Sequence, residues 1–149
     1  MNHLLSLERL KNRYFIMRHG KSLANQLELI VSSPDNGVNS YGLHDQGREQ
    51  VIQSVEATPA LNEVSLILSS DFQRALESAE IAHDLLGCPE DIVFHKLLRE
   101  RFFGEFELSS SENYQAVWDE DGLDASHTKF GVESVEAVMD RATTLITTL

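Results

Sequence analysis

The sequence has little of what several large classes of protein depend on. Only one of its 149 residues is a cysteine, Cys88, so an internal disulfide is excluded and a cytoplasmic location is expected. Basic residues number 12 against 24 acidic ones, and the formal charge of -12 argues against a nucleic-acid binder, which needs patches of lysine and arginine. No apolar run reaches the roughly 18 residues of a membrane-spanning helix, so no membrane association is expected.

The residues that are present indicate a single globular domain over positions 1–149. The apolar share is 42% and the charged share is 24%, which is typical of a soluble chain that buries a core. The chain has no internal repeat, and its three prolines lie far apart. A small anionic substrate held in a local basic pocket is compatible with the acidic balance of the whole chain.

Short apolar runs alternate with amphipathic segments along the chain. The apolar runs predict strands at 13–17, 64–68 and 92–97. The amphipathic segments predict helices at 3–12, 22–30, 45–57, 71–86, 109–118 and 132–149. Because strands and helices alternate, we predict an α/β fold, a three-layer α/β/α sandwich with a mostly parallel central sheet.

Local signals predict where two of these helices begin or end. Asp71 is the predicted N-cap of the helix at 71–86, and Gly87 is the residue expected in the left-handed conformation after it. Ser109 and Glu112 have the spacing of a capping box, which predicts that the helix at 109–118 begins at Ser109.

The most informative residues follow the first predicted strand. Arg18, His19 and Gly20 lie together at the carboxyl end of that strand, where parallel α/β sheets bind ligands. Arginine binds phosphate oxygens with a planar fork, histidine supplies a nucleophile or base near neutral pH, and glycine lets the backbone approach a ligand. A basic surface turn is the alternative. A nucleotide-binding P-loop is excluded, because Phe15 occupies the position of its first glycine.

Charged residues also follow the other two predicted strands. Arg74 lies in the first turn of the helix after the second strand and can face the same sheet edge as Arg18, unless it is an ordinary solvated arginine. Glu100 follows the third strand, where it is either a functional carboxylate or a surface charge. No cluster has the spacing of metal ligands, so we expect neither a metal nor a cofactor. Four histidines are predicted to be helix, strand or surface residues: His3, His83, His95 and His127.

Five blocks of the sequence, in this order, resemble the histidine phosphatase superfamily, which is also called the phosphoglycerate mutase-like family. Residues 18–25 are similar to its signature R-H-G-x-[ST]-x-x-N, and residues 42–50 resemble G-L-T-x-x-G-x-x-Q with histidine in place of threonine. Residues 68–75 resemble S-S-x-x-x-R-A, residues 98–107 resemble L-x-E-x-x-F-G-x-x-E, and residues 131–134 resemble G-G-E-S. The resemblance extends from about position 14 to the last residue.

The resemblance implies a role for each candidate residue. His19 would be the nucleophile that becomes a phosphohistidine, and Glu100 would protonate the leaving oxygen and then help to activate water. The residues that would bind the phosphoryl oxygens are Arg18, Arg74, Asn25 and Ser22. Two guanidiniums suit a phosphoryl group, whose negative charge is spread over its equatorial oxygens. Attack requires a neutral His19, and nearby arginines are expected to lower the pKa of its imidazole.

The resemblance also implies a small phosphorylated substrate and no cofactor. A phosphatase is favoured over a mutase, because mutases of this family carry longer insertions over the site than the segments at 32–41 and 74–100 provide. Two further interpretations compete with an enzyme: a phosphate-binding protein without catalytic activity, and a protein-interaction module.

One departure from the family pattern concerns a second histidine. The family has an S-H-G block near the end of a later strand, and this sequence has none. The last predicted helix reaches Leu149 without a stop signal. We therefore expect a C-terminally incomplete, truncated domain whose activity depends on the missing histidine. The missing strand would leave a sheet edge exposed, and an exposed edge favours pairing with a second copy of the chain. We therefore expect a homodimer.

Overall fold

The computed structural model describes all residues, Met1–Leu149, and contains α-helices, two short strands and single turns of 3-10 helix. In chain order the helices are α1 Leu23–Gln26, α2 Pro34–Gly37, α3 Asp45–Glu56, α4 Gln73–Leu86, α5 Tyr114–Asp121 and α6 Val135–Thr148. The strands are β1 Leu68–Ser69 and β2 Val93–Phe94. None of the helices combines the length and the apolar character needed to cross a membrane.

The two strands form a parallel pair, as the sequence predicted. Leu68 lies opposite Val93, and the ladder begins one residue earlier, where the amide of Val93 donates to the carbonyl of Ile67 at 2.9 Å. Parallel strands need a crossover connection, and α4 provides it. The carboxyl ends of both strands therefore lie at the same edge of the sheet.

The strand predicted at 13–17 does not form. Residues 8–20 make no hydrogen bond between backbone groups, and Ile16 is 98% exposed. A strand is stable only beside another strand that satisfies its N–H and C=O groups, and no part of the chain takes that place here. The ladder therefore joins two of the three predicted strands.

Two predicted helices at the amino-terminal side are short in the structure, and one begins late. The segment 3–12 forms only a 3-10 turn at His3–Ser6, and the segment 22–30 forms only α1. α5 begins at Tyr114, directly after a 3-10 turn at Ser111–Asn113. That turn is capped by the hydroxyl of Ser110 and not by Ser109, whose hydroxyl donates to the carbonyl of Phe106. Short helices form mainly where a face packs on a neighbour, and sequence periodicity alone does not supply that neighbour.

The helix ends near the sheet follow the predictions in part. Gly87 has φ 59° and ψ 40°, the left-handed conformation predicted for the residue after α4. Asp71 does not cap α4, and it instead accepts a 2.7 Å hydrogen bond from Nε of Arg99. This ion pair joins the segment after β1 to the segment after β2. The hydroxyl of Ser134 caps α6 by accepting from the amide of Ala137.

Two apolar clusters hold the elements together. One packs α3 against α4 and consists of Leu43, Val51, Val55 and Ala82. The other surrounds α5 and consists of Ile30, Phe103, Val117 and Val132. Cys88 is buried just after α4, and its thiol donates to the carbonyl of Val64 over 3.6 Å. The first cluster thus joins α3 to α4, and the second joins α5 to the segments around Ile30, Phe103 and Val132.

Candidate active site

His19 lies just before α1, and its two ring nitrogens have different partners. Nδ1 is 2.7 Å from the carbonyl oxygen of Gly20, and Nε2 is 3.1 Å from Nε of Arg74. A carbonyl only accepts and a guanidinium only donates, so Nδ1 carries the proton and Nε2 carries the lone pair. The imidazole is therefore neutral, with the nitrogen that could act as a nucleophile turned toward Arg74.

The surroundings of His19 keep this imidazole neutral at physiological pH. Its pKa falls from 6.5 to about 4, and burial is the largest cause. The bond to the Gly20 carbonyl acts in the opposite direction, and the positive charges of Arg74 and Arg18 lower the pKa further. The sequence predicted the influence of the arginines, but burial contributes more than they do.

Arg74 is held rigidly in the first turn of α4. The residue is only 5% exposed, and its Nη2 donates to the carbonyl of Val31 at 3.0 Å. Its guanidinium carbon lies 5.0 Å from the ring centroid of the buried Phe72. Because its position is fixed on both sides, Arg74 can present a preorganised positive charge to an anion beside His19.

Glu100 reaches the same guanidinium from the segment after β2. Its Oε2 is 3.6 Å from Nη2 of Arg74, while its Oε1 accepts from the amide of Arg101 at 2.9 Å. The structure therefore brings together His19, Arg74 and Glu100, although the segment before His19 does not form the predicted strand. A neutral imidazole and a carboxyl group lie on either side of one arginine.

Arg18 contributes a positive charge without a partner. Its side chain is exposed and forms no hydrogen bond or ion pair, and its charge acts on both His19 and Arg74. An unpaired guanidinium at the mouth of the site is free to bind an incoming phosphoryl oxygen.

Ser22 and Asn25 form the capping box of α1. The Ser22 hydroxyl donates to Oδ1 of Asn25 at 3.0 Å and accepts from the Asn25 amide at 3.1 Å. Ser22 is fully buried, so its hydroxyl is used within the helix cap and does not face the cavity beside His19. The side-chain amide nitrogen of the exposed Asn25 has no partner and stays available to a ligand.

The second block of the motif lies directly against the His19 loop. A Cβ atom on Gly47 would lie 2.0 Å from the carbonyl oxygen of Lys21, and one on Gly20 would lie 2.2 Å from the carbonyl oxygen of Gly47. Gln50 Oε1 accepts from the Lys21 amide at 2.9 Å, and Ser78 Oγ accepts from the Gly20 amide at 3.2 Å. The loop is therefore fastened to α3 and α4 through its backbone. Sequence reasoning missed Ser78, although it lies one helical turn after Arg74.

Tyr114 is a second residue of the site that sequence reasoning missed. Its ring packs edge-to-face on Phe103, with the centroids 4.7 Å apart. Burial raises the pKa of its phenol, the charge of Glu100 raises it further, and the charges of Arg74 and Arg18 lower it. The phenol, at the first residue of α5, is therefore within electrostatic range of Glu100, Arg74 and Arg18.

The remaining histidines do not reach His19. They are His3, His44, His83, His95 and His127, and each bonds to a partner outside the site. The four that were predicted to be ordinary structural residues have such roles, and His127 is buried and not on the surface. No group of three His, Cys, Asp or Glu side chains lies close enough together to hold a metal ion.

Two small cavities adjoin these residues. One has a volume of about 200 Å³, and its wall includes Glu100, Lys96, Arg99 and Arg141 with a single apolar residue, Phe102. The other has a volume of about 160 Å³ and is lined by the segment 17–20 and by side chains of α3. The cavity at Glu100 is polar, with two carboxylates, Glu100 and Glu133, and three cationic side chains in its wall; of the cations, Arg141 pairs with Glu133 and Arg99 pairs with Asp71.

Comparison with protein families gives the decisive match. The profile of the histidine phosphatase superfamily (branch 1) matches residues 14–149, a range that includes every residue of the site. The chain belongs to this superfamily. A histidine phosphatase domain therefore accounts for the grouping of His19, Arg74 and Glu100, and the family resemblance inferred from the five sequence blocks is confirmed.

A curated relative of this histidine phosphatase domain is known by sequence. The chain is 31% identical over 141 residues to a glucosyl-3-phosphoglycerate phosphatase of Mycolicibacterium vanbaalenii. The alignment covers 90% of this chain and 58% of the relative. The chain therefore spans somewhat more than half the length of that curated protein.

Solved structures with the same architecture support the predicted fold. A mycobacterial glucosyl-3-phosphoglycerate phosphatase in complex with VO3 has a TM-score of 0.70 at 24% identity, covering 88% of this chain and 61% of the other. A protein from Thermus thermophilus has a TM-score of 0.63 at 25% identity, covering 89% of this chain and 69% of the other. The predicted α/β fold of the phosphoglycerate mutase-like type is confirmed by these likenesses.

Proposed function

We propose that this histidine phosphatase domain hydrolyses a small phosphomonoester through a phosphohistidine at His19. One observation carries the proposal: Nε of Arg74 is 3.1 Å from the His19 lone pair, and Nη2 of the same guanidinium is 3.6 Å from a carboxyl oxygen of Glu100. One fixed cation thus lies between a neutral nucleophile and a potential acid, which is the arrangement that phosphoryl transfer needs.

The proposed reaction has two steps. In the first, Nε2 of His19 attacks phosphorus, the bond from phosphorus to the ester oxygen breaks, and Glu100 gives its proton to the leaving oxygen. In the second, water attacks the phosphohistidine, Glu100 takes a proton from that water, and inorganic phosphate leaves with His19 neutral again. Arg74 and Arg18 stabilise the charge that the phosphoryl oxygens carry in both transition states.

The cavity beside Glu100 is the proposed place of the alcohol half of the substrate. A leaving group departs on the side of the acid that protonates it, and this cavity of about 200 Å³ has Glu100 in its wall. Its lining is almost entirely polar, with Lys96, Arg99 and Arg141 among the side chains. We therefore propose a small, polar, hydroxyl-rich alcohol and not a bulky apolar one.

Phosphatase activity is favoured over mutase activity. The curated relative at 31% identity is named a glucosyl-3-phosphoglycerate phosphatase, and Glu100 is exposed, so water can reach the phosphohistidine. A mutase has to exclude water from that intermediate.

Phosphate binding without turnover is the second candidate function. It is favoured by one observation, that no histidine other than His19 contacts Arg74. In the family pattern the histidine of the S-H-G block completes the phosphate pocket beside the two arginines, and this sequence has no such block. The first step, or both, would then be slow in this chain, although phosphate would still bind to the arginines.

The test is hydrolysis of 4-nitrophenyl phosphate, measured beside the variants H19A and H83A. We expect the unmodified protein to hydrolyse this substrate. H19A should reduce the turnover by at least about a thousandfold, as removal of other catalytic nucleophiles does, and H83A should leave it unchanged. His83 is the control because its ring bonds to the Glu90 carbonyl, outside the site. If calorimetry detects binding of inorganic phosphate and no turnover is measured, the second candidate function is favoured. Absence of both turnover and phosphate binding would contradict both.

We further propose that the protein is cytoplasmic, that it contacts neither nucleic acid nor membrane, and that it forms a homodimer through the segment 13–17. The acidic excess and the single buried thiol of Cys88 support the first two parts. The exposed apolar side chains of Phe15, Ile16 and Met17 support the third, through an apolar surface and not through the sheet edge that the sequence predicted.

A further inference from the structure

The carboxyl group of Glu100 is held by the next residue in the chain. Its Oε1 accepts from the backbone amide of Arg101 at 2.9 Å, and its Oε2 faces Arg74 at 3.6 Å. The Arg101 amide therefore holds Oε1 in place and turns Oε2 toward Arg74, where the phosphoryl group of the proposed reaction binds.

The position of that amide depends on the side chain of Arg101. Its Nη1 and Nη2 donate to the two carboxylate oxygens of Asp121 at 2.7 and 2.9 Å, and its Nε donates to the carbonyl of Glu133 at 2.6 Å. The guanidinium carbon also lies 5.3 Å from the ring centroid of Phe103. The Arg101 and Asp121 side chains are only 10% and 17% exposed, so this two-pronged ion pair is well shielded from water.

Asp121 has a second buried partner. Nε2 of His127 donates to its Oδ1 at 2.7 Å, and Nδ1 of His127 accepts from the Lys129 amide at 3.3 Å. The His127 side chain is 4% exposed. Asp121 is the last residue of α5, where the helix dipole disfavours a carboxylate. The two side-chain partners, and not the helix, therefore account for an acidic residue at this position.

We propose that Asp121 is a positioning residue for the proton-transfer step. It fixes Arg101, whose amide fixes Glu100, so that Oε2 of Glu100 faces the leaving oxygen. Asp121 itself does not touch the substrate. The inference rests on the proposed phosphatase function, because it gives a role in that reaction to groups outside the site.

The variant D121N tests the inference with two substrates that differ in their need for a proton. Glycerol 3-phosphate releases an alkoxide that must be protonated, whereas 4-nitrophenyl phosphate releases a stable phenolate. We expect D121N to lower kcat/KM for glycerol 3-phosphate by at least about tenfold and to change kcat/KM for 4-nitrophenyl phosphate little. The ratio kcat/KM is the right quantity, because it reports the step in which the leaving group departs.

A double-variant cycle separates positioning from general damage to the fold. In an E100Q background the acid is already absent, so adding D121N should lower the glycerol 3-phosphate rate no further. The matched control is E120Q, which removes the neighbouring carboxylate that pairs with the exposed Lys129. We expect E120Q to leave both substrates unaffected.

A third variant keeps the test valid where D121N is poorly folded. R101K retains the charge but loses the two-pronged fork, so it should show the same selective loss. Equal losses on both substrates, or a further loss of D121N in the E100Q background, would overturn the positioning role. If the unmodified protein hydrolyses neither substrate, the proposed function itself fails; if it hydrolyses both and D121N is not selective, only this inference fails.

Discussion

At the scale of single residues, the low pKa of His19 links the site to stability. In the unfolded chain an imidazole binds a proton near pH 6.5, whereas folded His19 does so only near pH 4. Between these values the unfolded state holds the extra proton, so the free energy of unfolding should fall as the pH is lowered.

The variant H19Q should lack this dependence. We expect the free energy of unfolding of the unmodified protein, relative to H19Q, to decrease between pH 7 and pH 4 because of the unfolded-state proton. Urea denaturation at several pH values measures it. The difference between the two proteins isolates His19, because all other titrating groups are common to both. Parallel curves for the two proteins would contradict the low pKa.

Sequence reasoning named the main residues of the site but not all of their roles. His19, Arg74 and Glu100 follow three successive predicted strands, which led us to expect them at one sheet edge. The structure brings the three side chains together, although only the last two of these strands form. The position of Ser22 suits a helix cap as well as a phosphate contact, and only its complete burial distinguishes the two. Tyr114 could not be found, because helical periodicity does not tell which face of α5 meets the site.

At the scale of elements, α3 acts as a support for the His19 loop through Gly47. A methyl group there would lie 2.0 Å from the Lys21 carbonyl oxygen, so G47A must displace the loop. We expect G47A to lower the free energy of unfolding by about 2 kcal/mol or more and to reduce turnover of 4-nitrophenyl phosphate. G122A is the control, because the nearest atom to its methyl group would be 3.5 Å away. Unchanged turnover in G47A would contradict the support role.

Elements could be predicted where a helix packs on a neighbour within the chain. α3, α4 and α6 lie within three residues of their predicted boundaries, and the parallel direction of β1 and β2 follows from the helix between them. The strand predicted at 13–17 is wrong. The apolar composition of this segment favours a strand, but it does not supply the neighbouring strand that would complete the hydrogen bonds. The helix predicted at 3–12 forms only a 3-10 turn, because its amphipathic pattern does not supply the neighbour on which its apolar face would pack.

At the scale of the whole molecule, two features act against each other. The net charge of -12 keeps copies apart by repulsion, whereas the exposed apolar side chains of Phe15, Ile16 and Met17 favour contact between copies. Salt screens the repulsion and leaves the apolar attraction in place. Association should therefore become stronger as the ionic strength rises.

Light scattering at low and high salt checks this expectation. We expect the mean mass of the unmodified protein to rise with salt, and I16T to reduce the rise. L123T is the matched control, because Leu123 is 83% exposed but lies outside the segment 13–17. A mass that does not change with salt, or an equal response of both variants, would contradict association through this segment.

The lone cysteine has a consequence for how the molecule can be studied. Cys88 is buried between the end of α4 and the segment before β1, and burial raises the pKa of its thiol. A thiol reagent in solution therefore reacts with it only when this corner of the molecule opens. The labelling rate of the unmodified chain thus reports local opening directly, and each variant described above can be ranked by it without any added probe.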